Sequence, residues 1–233
     1  MDPILLRRLN AERRARRAVI HVTELEGGRD RIVREGDTVA GPLGSAIDAA
    51  FLSGKSGLVE AEGRHFFLNV HLPPARIVVI GAVHISQALA VVAKVSGYDL
   101  SVIDPRTAFA TEERFAGVDL VADWPEDVLK VRPLDRYTAL VAVTHDPKID
   151  DFPLRQALES GCFYVGALGS RKTHARRMER LLAAGVPQAM LERISAPIGL
   201  DIGAASPAEI AVAIMAEIIQ AFRRRNLRAE ERP

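Results

Sequence analysis

Five short clusters of glycine and polar residues each stand directly after, or a few positions beyond, an apolar run, and each holds groups that can bind or move charge. In Gly81-Ala82-Val83-His84, a glycine closes the run Ile77–Ile80 and a histidine opens a helical pattern. A chain turning there from strand into helix aims free backbone N–H groups outward, so His84 stands where it can donate to an anion or cap the turn. Asp104-Pro105-Arg106 ends the next run, with Asp104 lying 23 positions after Gly81. That is close to the ~20-residue offset at which dinucleotide-binding folds place the acid that grips a ribose. Arg106 carries a planar fork suited to a phosphate or a pterin-type group, and an Asp–Arg turn is the plainer alternative.

Thr144, His145 and Asp146 follow the apolar "LVAV" at 140–143. They suit acid–base work or ligand orientation, or else a strand-end turn closed by Asp146-Pro147. In "YVGALGSRKTHARRMERL" (164–181), Gly169 and Ser170 lead into a basic helix that starts at Arg171 and Lys172. Free amides, a flexible glycine and two cations make an anion cradle, although G-x-x-x-x-G-K-[ST] is absent. The last cluster, Gly199-Leu200-Asp201-Ile202-Gly203, sits in an irregular stretch where no helix cap requires it, which suggests a functional bend.

These clusters need a scaffold that gathers strand ends. From residue 75 the pattern alternates: strands are expected at 76–80, 99–103, 118–122, 138–143 and 162–166, and helices at 84–96, 125–131, 151–160, 170–184, 187–193 and 207–224. Such alternation predicts an α/β, Rossmann-like doubly wound parallel sheet whose ligands sit at the carboxyl ends of the strands. Ser206, Pro207 and Glu209 read as a capping box with proline in the first turn of the last helix. Upstream lies a small α+β region, with helices at 4–17 and 41–54, strands at 18–25 and 30–35, and a hairpin of 56–61 with 64–71 around Glu62-Gly63. The paired prolines of "HLPPAR" mark the boundary. The expected division is 1–72, 73–224 and a basic tail at 225–233.

Hydrophobic residues make up 48% and charged residues 26% of the 233 positions, which suits a packed globule. Six arginines within 7–17 and five within 223–233 leave an acidic body between two basic ends. No aromatic or Gly-rich nucleic-acid motif accompanies them, so helix-end charge and solubility explain them and no nucleic-acid partner is expected. No apolar run approaches the ~18 residues of a membrane span, and arginines interrupt the N-terminal stretch where a signal peptide needs an apolar core. A cytoplasmic protein without a membrane partner is expected. The single cysteine, Cys162, excludes an intrachain disulfide and a cysteine-cluster metal site. No protein metal-ligand set is expected.

"GAVHISQALA", "VIDPRTAFATEERF", "THD", "YVGALGSRKTHARR" and "PIGLDIGAASPAEIAVAIMAEI" together resemble, in matching order over residues 75–222, the XdhC/CoxI family. Its members are accessory factors of xanthine dehydrogenase, carbon monoxide dehydrogenase and related molybdenum hydroxylases. The resemblance implies transient binding of the molybdenum cofactor (molybdopterin) and its delivery to an apo molybdenum hydroxylase. It places Gly81, His84, Asp104, Arg106, Thr144, His145, Asp146, Gly169, Ser170, Arg171, Gly199 and Asp201 on the family's motifs as cofactor-binding positions, with no catalytic residue assigned. Two departures stand out. Val83 replaces the second glycine of Gly-Ala-Gly-His, and "GPLGSAIDAAF" (41–51) has no counterpart to the family's Gly-Gly-Cys-x-Glu cysteine. A cysteine-bearing paralogue of the same type would supply what is missing, and a homodimer is expected by analogy. An NAD(P)-dependent oxidoreductase and a ligand-free chaperone scaffold for an apo-dehydrogenase are the alternatives. Val83, standing where a pyrophosphate would approach the backbone, disfavours the first.

Overall fold

A computed structural model describes residues 2–224. The described residues divide into two compact units, one containing residues 2–74 and the other residues 75–224.

The first unit begins with α1 (Pro3–Arg14), where the Asp2 carboxylate accepts from the Ile4 amide at 2.8 Å and Pro3 occupies the first turn. Then come β1 (Val19–Glu24), β2 (Asp30–Arg34), α2 (Gly41–Ser53), β3 (Gly57–Ala61) and β4 (Arg64–His71). The four strands form an antiparallel sheet in the order β2-β1-β4-β3. The β3–β4 hairpin turns on Glu62 and Gly63, both with positive φ, the two-residue loop whose twist matches its strands. Val19, Ile20 and Val22 on central β1 are buried, and Leu9 of α1 packs with Val19 and Ile32.

The second unit runs β5 (Arg76–Ile80), α3 (His84–Val95), β6 (Asp99–Ile103), β7 (Asp119–Val121), α4 (Pro125–Val131), β8 (Thr138–Ala142), α5 (Pro147–Glu159), β9 (Tyr164–Ala167), α6 (Arg171–Ala183), α7 (Gln188–Leu191), β10 (Ile194–Ser195) and α8 (Pro207–Arg224). Its six strands are all parallel, in the order β10-β9-β8-β5-β6-β7. The order reverses between β5 and β8, so this is the doubly wound arrangement and its ligand crevice is expected where those two strands end.

The strand sequences fill both faces. On β5, Ile77 and Val79 join the layer under α3 and α8, with Leu89, Ile214 and Ile218. Val78 and Ile80 join the opposite layer with Leu129, Leu154 and Leu181 of α4, α5 and α6. β8 alternates likewise, Ala139 and Val141 against Leu140 and Ala142.

Several elements depart from the sequence reading: α1 ends at Arg14 rather than 17, and α7 covers only Gln188–Leu191 of the helix expected at 187–193. α5 starts at Pro147 rather than 151, because Asp146 accepts from the Lys148 amide at 2.9 Å and Pro147 fits the first turn. β9 starts at Tyr164, so Cys162 lies in the turn before the strand and not inside it. β10 has no counterpart in the sequence reading, since two residues paired to Val165 and Gly166 leave no periodic signal. The expected basic tail at 225–233 lies outside the described residues. No helix among them is long and apolar enough to cross a membrane.

Candidate functional site

The carboxyl ends of β5, β6, β8 and β9 gather four of the five clusters. At the end of β5, Gly81 has φ +119°, and a Cβ built there would lie 2.8 Å from Thr144 Cγ2. Both the backbone conformation and the close approach of the β8 end therefore require glycine. Ser86, fully buried, donates its hydroxyl to the Gly81 carbonyl and ties the first turn of α3 back to the strand. Val83 is the N-cap, with φ −110°, an ordinary extended backbone that a branched residue adopts freely. No side chain caps α3, and His84 is exposed at its first position.

Asp104, 0% exposed at the end of β6, holds this loop. One carboxylate oxygen accepts from the Ala82 amide at 2.7 Å and from Arg106 Nη2 at 2.8 Å. The other accepts from the Arg106 amide and Nε, each at 2.9 Å. Burial by itself would raise this carboxyl's pKa, but Arg106 and the two amides outweigh it and hold it below the usual carboxylate value. Arg106 thus spends its inner edge on Asp104 and lies over the Phe109 ring, 4.7 Å from its centroid. Nη1, on its outer edge, makes no hydrogen bond within the described residues.

Beyond β8, Thr144 accepts from the Asp146 amide at 3.0 Å and donates to Asp150 Oδ1 at 2.7 Å. His145 between them is exposed and has φ +63°, a strained conformation for a residue with a side chain. Asp150, in the first turn of α5, is 1% exposed, and its Oδ2 has no partner among the described residues. Burial pushes its carboxyl up to about 6, only partly offset by the Thr144 hydrogen bond and the positive charge of Arg177.

Beyond β9, Ser170 caps α6 by accepting from the Thr173 amide at 3.2 Å. The first turn then presents Arg171 and Lys172, both exposed, with no acidic residue among them. Behind it lies Arg177, 2% exposed. Its Nη2 donates to the Leu168 carbonyl at 2.9 Å, while Nε and Nη1 have no partner among the described residues. Burial lowers the pKa of this guanidinium, and the charges of Asp150 and Asp151 oppose that shift. His174 Nδ1 is likewise buried and unpartnered there, and burial followed by the Arg177 charge lowers its pKa.

The fifth cluster is held apart from these contacts. Gly199 has φ +91°, and a Cβ there would meet the backbone of Ala213 and Ile214 at 3.1 Å. Its amide donates to Glu217 Oε2 at 2.8 Å, and the same oxygen accepts from the Tyr164 hydroxyl at 2.6 Å. Asp201 is exposed and makes no hydrogen bond within the described residues.

Gly81, Asp104, Arg106 and Thr144 therefore form one contiguous cluster, extended through Asp150 and Arg177 toward Gly169, Ser170 and Arg171. Asp150, His174 and Arg177 escaped the sequence reading. The signal available was Asp150 and Arg177 falling at positions of α5 and α6 that otherwise face the core. Cys162 is buried, and burial aided by the charge of Asp135 pushes its thiol up to about 12. Among the described residues, no group of three or more His, Cys, Asp or Glu could hold a metal ion.

A doubly wound parallel sheet with a glycine turn and a cationic helix start at its carboxyl edge defines a Rossmann-type binding domain. Residues 77–218 match the family model described as the XdhC Rossmann domain, and the chain belongs to that family. It is 34% identical over 161 residues to a Bacillus subtilis (strain 168) protein named as a probable component of xanthine dehydrogenase, covering 69% of this chain and 47% of that protein. It is 28% identical over 146 residues to the molybdenum cofactor insertion chaperone PaoD of Escherichia coli (strain K12), covering 63% of this chain and 40% of that one. Among solved structures, a xanthine dehydrogenase from Bacillus halodurans superposes with a TM-score of 0.60 at 26% identity, covering 94% of this chain and 63% of that chain. The chain spans less than half the length of these two curated relatives.

Proposed function

We propose that this chain is a maturation factor for a molybdenum hydroxylase. It holds a molybdopterin-type cofactor at the carboxyl edge of the second unit's sheet and passes it to an apo-enzyme such as xanthine or carbon monoxide dehydrogenase. The observation that carries this reading is the start of α6. A helix N-terminus favours negative charge, yet here the first turn holds Arg171 and Lys172, both exposed and without an ion-pair partner among the described residues. Each cation opposes the helix dipole at a cost of about 0.3–1 kcal/mol, and a bound anion relieves it. The pterin's phosphate fits that position, with the free outer edge of Arg106 as a second donor.

The cofactor brings its own dithiolene sulfurs to the metal, so binding it requires no ligand cluster from the protein. This chain's part is to orient the phosphate and exclude competing anions. The maturation role draws further support from the relative named a molybdenum cofactor insertion chaperone. A cysteine-bearing member of the same family would supply the thiol that residues 41–51 lack.

Nucleotide binding in the manner of a dehydrogenase is less well served. Both oxygens of Asp104 are already engaged by Ala82 and Arg106, so the acid that would grip a ribose is occupied. Titration with released molybdopterin, followed by quenching of the pterin fluorescence, is expected to saturate. Arg171→Ala combined with Lys172→Ala should weaken binding at least tenfold while far-UV circular dichroism stays unchanged. No binding by the unaltered chain, or equal binding by the double variant, would overturn the proposal.

A further inference from the structure

The first unit carries an open recess of about 430 Å³ whose described lining residues are all its own. One wall is cationic, with Arg13 and Arg14 from the last turn of α1 and Arg17 just beyond it. The facing wall is apolar and stiff: Leu72, Pro73 and Pro74 follow the end of β4, where His71 also lines the space. Only part of this wall's charge is cancelled locally, at Arg17. Glu12, the neighbouring acid, is buried and turned to Arg17 and Arg34, at 2.5 and 2.7 Å. Arg13 has no ion-pair partner in the described residues, and Arg14 only returns a hydrogen bond to the Asn10 carbonyl at 3.3 Å. Cations at the end of α1 suit its dipole, but a dipole does not require a recess beside them. His71 Nε2 has no partner among the described residues, and burial followed by the Arg13 charge holds the ring's pKa below its ordinary value.

We infer that this recess binds a phosphate-bearing small molecule with a flat ring, of mononucleotide size. Guanidinium forks donate to phosphate oxygens in pairs. Half-buried Leu72 and exposed Pro74 offer an apolar surface to a ring, and the volume falls within the ~300–1,000 Å³ range of small-ligand pockets. None of the described residues that line it belongs to the second unit.

Isothermal titration of the full chain with ADP tests the assignment, with adenosine and inorganic pyrophosphate as comparisons. ADP is expected to bind in the micromolar range, with adenosine and pyrophosphate each at least tenfold weaker. Arg13→Ala with Arg14→Ala should weaken ADP at least tenfold without changing the thermal midpoint by more than a few degrees. Arg171→Ala with Lys172→Ala should leave ADP binding intact. Absence of saturable ADP binding below millimolar concentration, adenosine binding as well as ADP, or loss of binding only in the Arg171/Lys172 variant would each overturn the inference. If the Arg13/Arg14 pair unfolds the chain, Arg13→Gln alone is the second variant, and unchanged ADP affinity in that folded protein overturns it equally.

Discussion

Thr144 meets three constraints at once. Its methyl abuts the backbone of Gly81, its hydroxyl accepts from the Asp146 amide, and the same hydroxyl donates to Asp150. Serine would keep the hydrogen bonds and lose the contact; valine would keep the contact and strand Asp150 without a partner. The carboxyl of Asp150 has a testable signature. It titrates near pH 6 in the folded chain, above its ordinary value of 3.8. Between those pH values the folded state retains a proton that the unfolded state has released. Stability contributed by this group is therefore present below about pH 4 and is lost as pH rises through 6, by roughly 2–3 kcal/mol. Asp150→Asn keeps an acceptor for Thr144 and removes the titration. In urea unfolding across pH 4–7, the variant's stability relative to the unaltered chain should climb by that amount and level off above pH 6. Parallel curves would show that Asp150 is not the titrating group.

At the level of the elements, caps and periods determine the outcome. α8 starts where Ser206, Pro207 and Glu209 indicate, with the Ser206 and Glu209 side chains each bonded to the other's amide. Asp146-Pro147 carries the same kind of signature at α5, yet it follows an apolar strand so closely that it reads equally well as a turn. The Gly199–Gly203 segment has no period at all, and its placement depends on Glu217, 18 residues away, which bonds both the Gly199 amide and the Tyr164 hydroxyl. A contact of that range leaves no local trace in the sequence. Glu217→Ala leaves a buried hydroxyl and an amide without an acceptor, and should cost about 1–3 kcal/mol in urea unfolding. It should also speed hydrogen exchange at the Gly199 amide. A loss under ~0.5 kcal/mol would show that the segment is held by packing alone.

Across the whole molecule, the doubly wound sheet was legible because alternation of apolar runs with helical patterns needs no long-range information. Its switch point was not, since strand order depends on which neighbours pair, and β10 is too short to announce itself. The polar cluster behind the strand ends left only a faint signal for a related reason: Asp150 and Arg177 fall at core-facing helix positions, yet charged residues read as surface until α5 and α6 are packed on the sheet. The same packing encloses Cys162, the sole sulfhydryl that could report on the chain. With its ionisation suppressed as well, maleimide should react with it only when the second unit opens. Where reclosing outpaces reaction, the labelling rate then equals the equilibrium constant for opening multiplied by the reagent's intrinsic rate, and it should climb with urea in step with unfolding. A surface cysteine introduced anywhere else would label at once, giving a single dye at a chosen position with no need to remove the native one.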